Sequence, residues 1–132
     1  MKVVHTSGKR KRALAKATLI PGKGVIRINS QLLNLYQPEL ARMRIMEPLT
    51  IAEEFTKDVD IKVNVKGGGW QSQAEAIRLA ISRALVEFTN NKKLKQDFLN
   101  YDRHLLVADI RRKEAYKPND SKARAKRQKS YR

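Results

Sequence analysis

The chain of 132 residues has no cysteine, only two histidines, and 13 acidic residues against 29 basic ones. The absence of cysteine excludes disulfides and thiolate metal sites, and it indicates a reducing, intracellular compartment. His5 and His104 are too few to predict a metal site. The acidic residues form no calcium-binding loop, and no Ser, His and Asp set with catalytic spacing is present. The sequence therefore predicts no enzyme, no metal and no cofactor.

Long apolar segments are also missing. No run of about 18 apolar residues exists, so we expect no segment to span a bilayer. The N-terminal stretch MKVVHTSGKRKRALAK lacks the apolar centre and the small cleavage residues of a signal peptide. The 41% of hydrophobic residues still suffice for a modest core, and one globular domain over 1–110 is predicted.

Positive charge is what the chain has in excess, with a net charge of +16. Half of it lies in 111–132, which holds ten basic and two acidic residues and no Val, Ile, Leu, Met, Phe or Trp. Such a segment cannot form a core, so it predicts an extended basic C-terminal tail. The remaining body, with 19 basic and 11 acidic residues, is also +8. Nucleic acid is the first candidate partner of such a field, and an anionic membrane surface is the second.

The N-terminal half predicts strands first and helices afterwards. Alternation places Ala13, Ala15, Ala17 and Leu19 on one face of a strand that ends at residue 20, and 25–29 predicts another strand. Pro21 and the glycines of 22–24 predict a turn that joins the two strands in a hairpin. A loop over 30–37 follows. Pro38 is expected at the first position of a helix, Pro48 at its end, and a second helix is expected over 49–55.

The C-terminal half contains the clearest patterns. Residues 59–66 alternate between apolar and polar without a fault and predict a strand with one polar face. Residues 71–89 place an apolar stripe at helical spacing, and Ser72 with Glu75 matches a capping box. The stripe consists of Trp70, Ala74, Ile77, Ala80, Ile81, Ala84, Leu85 and Phe88. A helix over 92–100 with Leu94, Phe98 and Leu99 inward and a short strand over 105–108 complete the body. This order of elements predicts an α+β two-layer sandwich rather than a doubly wound sheet.

The triple glycine 67–69 is interpreted as a tight strand-to-helix turn rather than a phosphate site, because no nucleotide-binding motif surrounds it. Asp102 next to Arg103, and Asp109 next to Arg111 and Arg112, indicate carboxylate–arginine pairs rather than acid–base pairs.

The basic cluster 9–12 is interpreted as a phosphate contact, although a single such cluster is usually a solvated surface. The reason is that it recurs, at Arg42/Arg44, Lys62/Lys66, Arg111–Lys113 and in the tail. Alanine and glutamine separate the cations of the tail, and Tyr131 is suited to stacking on a base. A tail that serves only solubility or nuclear targeting remains an alternative. The predicted RNA-phosphate contacts are Lys9, Arg10, Lys11, Arg12, Lys66, Arg111, Arg112, Lys113, Lys117, Lys122, Arg124, Lys126 and Arg127.

Five stretches carry a resemblance to a known family. They are GKRKRALAKATLIPGKGVIRINS (8–30), EPL (47–49), DIKVNVKGGGWQSQAEAIRLAISRAL (60–85), YDRHLLVADIRRKEAYKPNDSKARAKRQ (101–128) and KSYR (129–132). In this order they resemble the ninth protein of the small ribosomal subunit, in its archaeal and eukaryotic-cytosolic form.

The resemblance implies a fold with a left-handed βαβ crossover, like the second domain of the fifth small-subunit protein. It also implies rRNA binding in the head of the small subunit of cytoplasmic ribosomes, beside neighbouring head proteins and without a homo-oligomer. The tail would reach the anticodon stem-loop of P-site tRNA through Lys129, Ser130, Tyr131 and Arg132. Two alternatives are a free or chromatin-type nucleic-acid-binding protein with a basic arm, and a phosphotransferase or nuclease.

Overall fold

The computed structural model describes residues 2–112 together with 115 and 116. Five strands form one mixed sheet in the order β1-β2-β5-β3-β4. They are β1 (Val4–Arg10), β2 (Ala13–Pro21), β3 (Ile26–Ile28), β4 (Gln31–Leu32) and β5 (Val59–Lys66). The helices are α1 (Glu39–Ile51), α2 (Glu53–Thr56), α3 (Trp70–Thr89) and α4 (Lys92–Tyr101), and 3-10 turns cover Leu33–Leu35 and Arg103–Leu105. The predicted α+β class is confirmed.

One face of the sheet forms the core. The alternating residues of β2 and β5 are almost completely buried, as predicted: Ala13, Ala15, Ala17, Leu19, Val59, Ile61, Val63 and Val65. Helix α3 crosses this face and contacts β1, β2 and β5, while α1 and α4 pack against α3. The approach is close, because a Cβ on Gly8 would lie 2.3 Å from the carbonyl oxygen of Ala76. The small residues of β1 and β2 therefore set how near the helix lies to the sheet.

The predicted hairpin of the second and third strands is wrong. β5 lies between them, antiparallel to β2 and parallel to β3. The 22–25 segment wraps around the start of β5, because the Asp60 carboxylate accepts the N–H groups of Lys23 and Val25, both at 3.0 Å. The proline and glycines of this turn predict a turn from local sequence alone. They do not reveal that the carboxylate of the distant Asp60 binds the turn and keeps β2 and β3 from pairing.

The actual hairpin is β1 with β2, joined at Lys11 and Arg12. Lys11 adopts a left-handed conformation, with φ of 53°. The sequence did not predict β1, because His5, Ser7 and Lys9 face solvent while the inward positions include Thr6 and Gly8, which carry little apolar signal. The basic cluster 9–12 thus lies at a hairpin end.

Pro48 does not end the first helix. α1 runs to Ile51 with Pro48 inside it, and Ala52 donates its N–H to the Pro48 carbonyl. Ile45, Pro48 and Leu49 are buried, so packing offsets the hydrogen bond that a proline cannot make. The second predicted helix shrinks to the four residues of α2.

Two details of the next helices also differ. Gly69 caps α3 without a side-chain hydrogen bond, so the predicted Ser72–Glu75 capping box is wrong, and Glu75 pairs with Arg10 instead. Trp70 is 48% exposed because it lies at the first helical position, beyond the sheet. The rest of the predicted stripe is buried or packs against the core, and α4 is confirmed with Leu94 and Phe98 buried.

The predicted strand over 105–108 is wrong. A 3-10 turn at Arg103–Leu105 leads into an irregular segment that pairs with no described strand. Leu105 is fully buried and anchors this segment. The Arg83 Nε donates to the Leu106 carbonyl at 3.2 Å, so an arginine side chain supplies a backbone partner that a strand would have supplied.

Candidate nucleic-acid interface

The face of the sheet opposite α3 is open and basic. Register places Lys9 beside Leu14 and Leu14 beside Lys66, so two cations lie in one row across three strands. A second row brings Thr18, Lys62 and Arg27 together across β2, β5 and β3. Lys16 lies between these rows, and all five cations are exposed. Cations so arranged, on a surface that no helix within 2–112 covers, suit the phosphates of a nucleic acid.

Asp60 is the acidic residue on this face of β5, and it is already engaged. Hydrogen bonds from the N–H groups of Val25 and Lys23 hold the pKa of Asp60 below its usual range. The carboxylate is therefore ionised at neutral pH and serves the 22–25 turn at one end of the sheet.

A cleft of about 690 Å³ opens at the end of the β1–β2 hairpin. Its lining is basic and contains no carboxylate among the described residues: Lys11, Arg12, Gly68, Gly69, Ser72, Arg112, Ala115 and Tyr116. Gly67 and Gly68 have positive φ, and a Cβ on Gly67 would lie 2.5 Å from the Arg12 carbonyl oxygen. The triple glycine is thus the tight turn that was predicted, and it packs against the basic hairpin end.

Arg10 points away from the open face and into an internal ion pair. Its Nε lies 2.7 Å from Glu75 and its Nη2 lies 3.5 Å from Asp109, and its side chain is only 13% exposed. Asp109 also accepts hydrogen bonds from the side chain and the N–H of Arg111, which hold the pKa of Asp109 far below its usual range. The predicted Asp109–Arg111 pair is confirmed.

The predicted pairing of Asp102 with Arg103 is not what forms. Asp102 instead pairs with Arg78 of α3, whose Nε lies 3.3 Å from Glu47 of α1. Burial raises the pKa of Asp102, but the His104 N–H and the Arg78 guanidinium outweigh it and lower that pKa overall. Arg83 joins the Leu106 carbonyl to the Ser7 carbonyl at 3.0 Å. Arginines of β1 and α3 therefore fasten the whole segment 102–112 to the body.

The structure divides the predicted contact residues into three groups. Lys9 and Lys66 lie on the open face on either side of Leu14, while Lys11, Arg12 and Arg112 line the cleft. Arg10 and Arg111 are in ion pairs. The remaining predicted contacts lie outside the described residues: Lys113, Lys117, Lys122, Arg124, Lys126, Arg127, Lys129, Ser130, Tyr131 and Arg132.

The predicted contacts left out two cations of the open face, namely Lys16 and Arg27. The alternation of β2 turns Lys16 outward, so the sequence carries a signal for that residue. Arg27 needed the parallel pairing of β3 with β5, which no local pattern reveals.

Each of the two histidines contacts an oxygen atom of the chain. His5 contacts the Thr18 hydroxyl at 3.2 Å and His104 contacts the Val107 carbonyl at 3.2 Å. Within 2–112 and 115–116, no three His, Asp or Glu residues converge as a metal site would require. Among the helices in this part of the chain, none is both long and apolar enough to cross a membrane.

Comparison with known proteins gives a consistent answer over the full length. The family model of ribosomal protein S9/S16 matches residues 8–132. Small ribosomal subunit protein uS9 of Methanococcus maripaludis strain C5 is 53% identical over 134 residues, with all of both chains covered. The proteins of the same name from M. maripaludis strain C7 and Methanococcus vannielii are 52% identical with the same coverage. The chain therefore belongs to the ribosomal protein S9/S16 family and is a structural, non-enzymatic protein of the small ribosomal subunit.

Proposed function

We propose that the chain binds small-subunit rRNA in the head of the subunit of cytoplasmic ribosomes, beside other head proteins. The observation that carries this proposal is the open sheet face, where five exposed cations lie in register on four strands. The basic cleft at the hairpin end adds a second surface for phosphates. Together they give the body an extended basic surface that can bind a polyanion, and such surfaces bind RNA through phosphate contacts.

The proposal also covers the organisation of the chain. Residues 1–110 act as the rRNA-binding domain, and 111–132 act as a basic tail whose cations follow the rRNA backbone. We further propose that the connection from β3 through α1 to β5, which joins two parallel neighbours, has the left-handed path that the family resemblance implies. Most such connections in proteins are right-handed, so this handedness would be a property of the family.

The tip of the tail has a separate proposed role. Lys129, Ser130, Tyr131 and Arg132 would contact P-site tRNA, with Tyr131 stacking and Arg132 meeting a phosphate. This part rests on the resemblance of the KSYR ending and on the suitability of these residue types for RNA.

Two experiments test the two parts. Tagged chain mixed with small subunits lacking it should sediment with them at high salt, because nonspecific contacts to a polyanion weaken steeply there. Release at high salt would instead favour a free nucleic-acid-binding protein.

For the tip, deletion of 129–132 should weaken P-site tRNA binding and leave subunit assembly intact. Arg132→Glu should weaken tRNA binding more than Arg132→Ala, since it adds repulsion to the lost contact. Equal effects of the two substitutions would contradict a phosphate contact, and blocked assembly would make the tip an rRNA anchor.

A further inference from the structure

The outer face of α1 is apolar although it faces solvent. Leu40, Met43 and Met46 are 66%, 58% and 40% exposed, while Ala41 and Ile45 on the opposite side are fully buried. In the preceding 3-10 turn, Leu35 is also 60% exposed. Arg42 donates to the Asn34 carbonyl at 3.0 Å and so holds that turn against α1. Contiguous exposed apolar side chains on a helix indicate a binding surface.

The segment that carries this surface is acidic in a strongly basic chain. Residues 39–58 hold five acidic residues, of which Glu47 turns inward to Arg78, and three basic ones, whereas the whole chain carries +16. Glu39 is 72% exposed at the start of α1, and both acidic residues of α2, Glu53 and Glu54, are exposed. Carboxylates beside methionine and leucine repel phosphates, so this side does not suit RNA or an anionic membrane.

The chain itself does not supply the occupant. A second copy would bring the same carboxylates face to face, which is unfavourable. The basic tail has suitable charge, but it contains no Val, Ile, Leu, Met, Phe or Trp to fill an apolar surface. The partner must combine positive charge with apolar side chains.

We infer that the outer face of α1 docks a basic protein of the small subunit, through apolar contacts at Leu40, Met43 and Met46 within an acidic rim. This inference rests on the proposed assembly of the chain into the subunit. An apolar centre with a charged rim is the usual anatomy of a protein interface, and methionine adapts readily to a partner surface. The molecule thus has two sides of opposite chemistry, with RNA on the open sheet face and protein on α1.

Site-specific photo-crosslinking in assembled small subunits separates these partners. A benzoylphenylalanine replaces either Met43 on α1 or Lys16 on the open face. We expect position 43 to cross-link to one defined small-subunit protein, at a segment rich in Lys or Arg, and position 16 to cross-link to rRNA. Cross-linking of position 43 to RNA, or no protein product from subunits in which position 16 labels rRNA, would overturn the inference. Failure of either chain to enter subunits would instead contradict the proposed function.

A pair of substitutions tests the contact itself. Leu40→Asp with Met43→Asp should lower the occupancy of the cross-linked protein in purified subunits about tenfold, a loss of about 1.4 kcal/mol. Retention of the variant on rRNA should stay within about twofold, since both side chains are exposed and lie away from the basic face. Gln96→Asp with Asn100→Asp on the exposed side of α4 is the matched control and should change neither quantity. An unchanged occupancy in the α1 variant would also refute the docking surface.

Discussion

The open sheet face gives the sharpest prediction, because its lysines can be removed without touching the core. Lys9, Lys16, Lys62 and Lys66 are exposed, and within the described part of the chain none of them forms a salt bridge. Replacing all four by glutamine leaves polar side chains that are slightly shorter than lysine, and it removes four positive charges. The free energy of unfolding should change little, since exposed substitutions of this kind cost about 0.5 kcal/mol or less each.

The loss of phosphate contacts should appear as a weaker dependence of RNA binding on salt concentration. Each phosphate contact contributes about 0.7 to 0.9 to the slope of log K against log salt concentration. Four lost contacts should therefore reduce the magnitude of that slope by about 3. Between 50 and 200 mM salt, the unmodified chain should lose roughly 60-fold more affinity than the variant does.

The assay is equilibrium filter binding to an rRNA fragment from the head, repeated across a salt series. The control variant replaces Lys57, Lys92, Lys93 and Lys95 by glutamine, since these exposed lysines carry the same charge outside the open face. We expect the slope of the control to stay within about 1 of the original value. An equal fall in both variants would mean that only net charge matters, and an unchanged slope in the first variant would refute the open face as the RNA surface.

Three further predictions concern other features. Gly8→Ala should lower the free energy of unfolding by about 3 kcal/mol, because its Cβ would meet the backbone of α3 at 2.3 and 2.8 Å. Gly69→Ala, with nothing within 4 Å, should cost less than about 1 kcal/mol in the same urea titration. Arg10→Gln should lower the free energy of unfolding by about 2 kcal/mol because its ion pairs are lost. Arg12→Gln should leave that free energy unchanged and should reduce the slope of log K for RNA binding against log salt concentration by about 1. The reverse pattern would show that Arg10 binds phosphate. Because the folded-state pKa of Asp102 is lowered, its contribution to stability is present above the unfolded pKa of about 3.9 and is lost as pH falls through the folded value. Asp102→Asn should therefore destabilise the protein at pH 7, and its deficit should shrink in urea titrations at progressively lower pH; a constant deficit would contradict the ion pair with Arg78.

The elements that the sequence predicted well are those whose periodicity extends over many residues. β5 alternates over eight residues and α3 repeats its stripe over twenty, so in each case burial of one face determines the structure. β1 escaped prediction because its buried position at Gly8 has no side chain to signal burial. The prediction that Pro48 ends α1 is wrong for the opposite reason. Proline is a strong local signal for the end of a helix, but burial of this part of α1 overrides that signal.

The candidate interface was predictable in its parts and not in its assembly. Lys9 and Lys66 are 57 positions apart in the chain. They share one row of the open face, on either side of Leu14, only because β2 pairs with β1 on one side and β5 on the other. Arg10 lies between two exposed lysines in the sequence, yet the strand turns it inward to Glu75 and Asp109. A run of basic residues therefore predicts a positive electrostatic field. Only the register of strand pairing determines which residues of the run face a ligand.

The internally bonded Arg10 and Arg83 explain why positive charge is concentrated in the cleft beside residues 106–112. Residues 106–112 follow the buried Leu105 without regular structure, so their polar backbone groups need partners from elsewhere. Arg83 bonds the Leu106 carbonyl and Arg10 reaches the Arg111 carbonyl at 3.5 Å, which fastens the segment at both ends. This leads the chain past the hairpin end, so that Arg112 lines the same cleft as Lys11 and Arg12. The internal bonds of Arg10 and Arg83 thus hold the exposed cations of the cleft close to one another. Weakening those bonds should let the lining residues of the cleft move apart before the sheet unfolds.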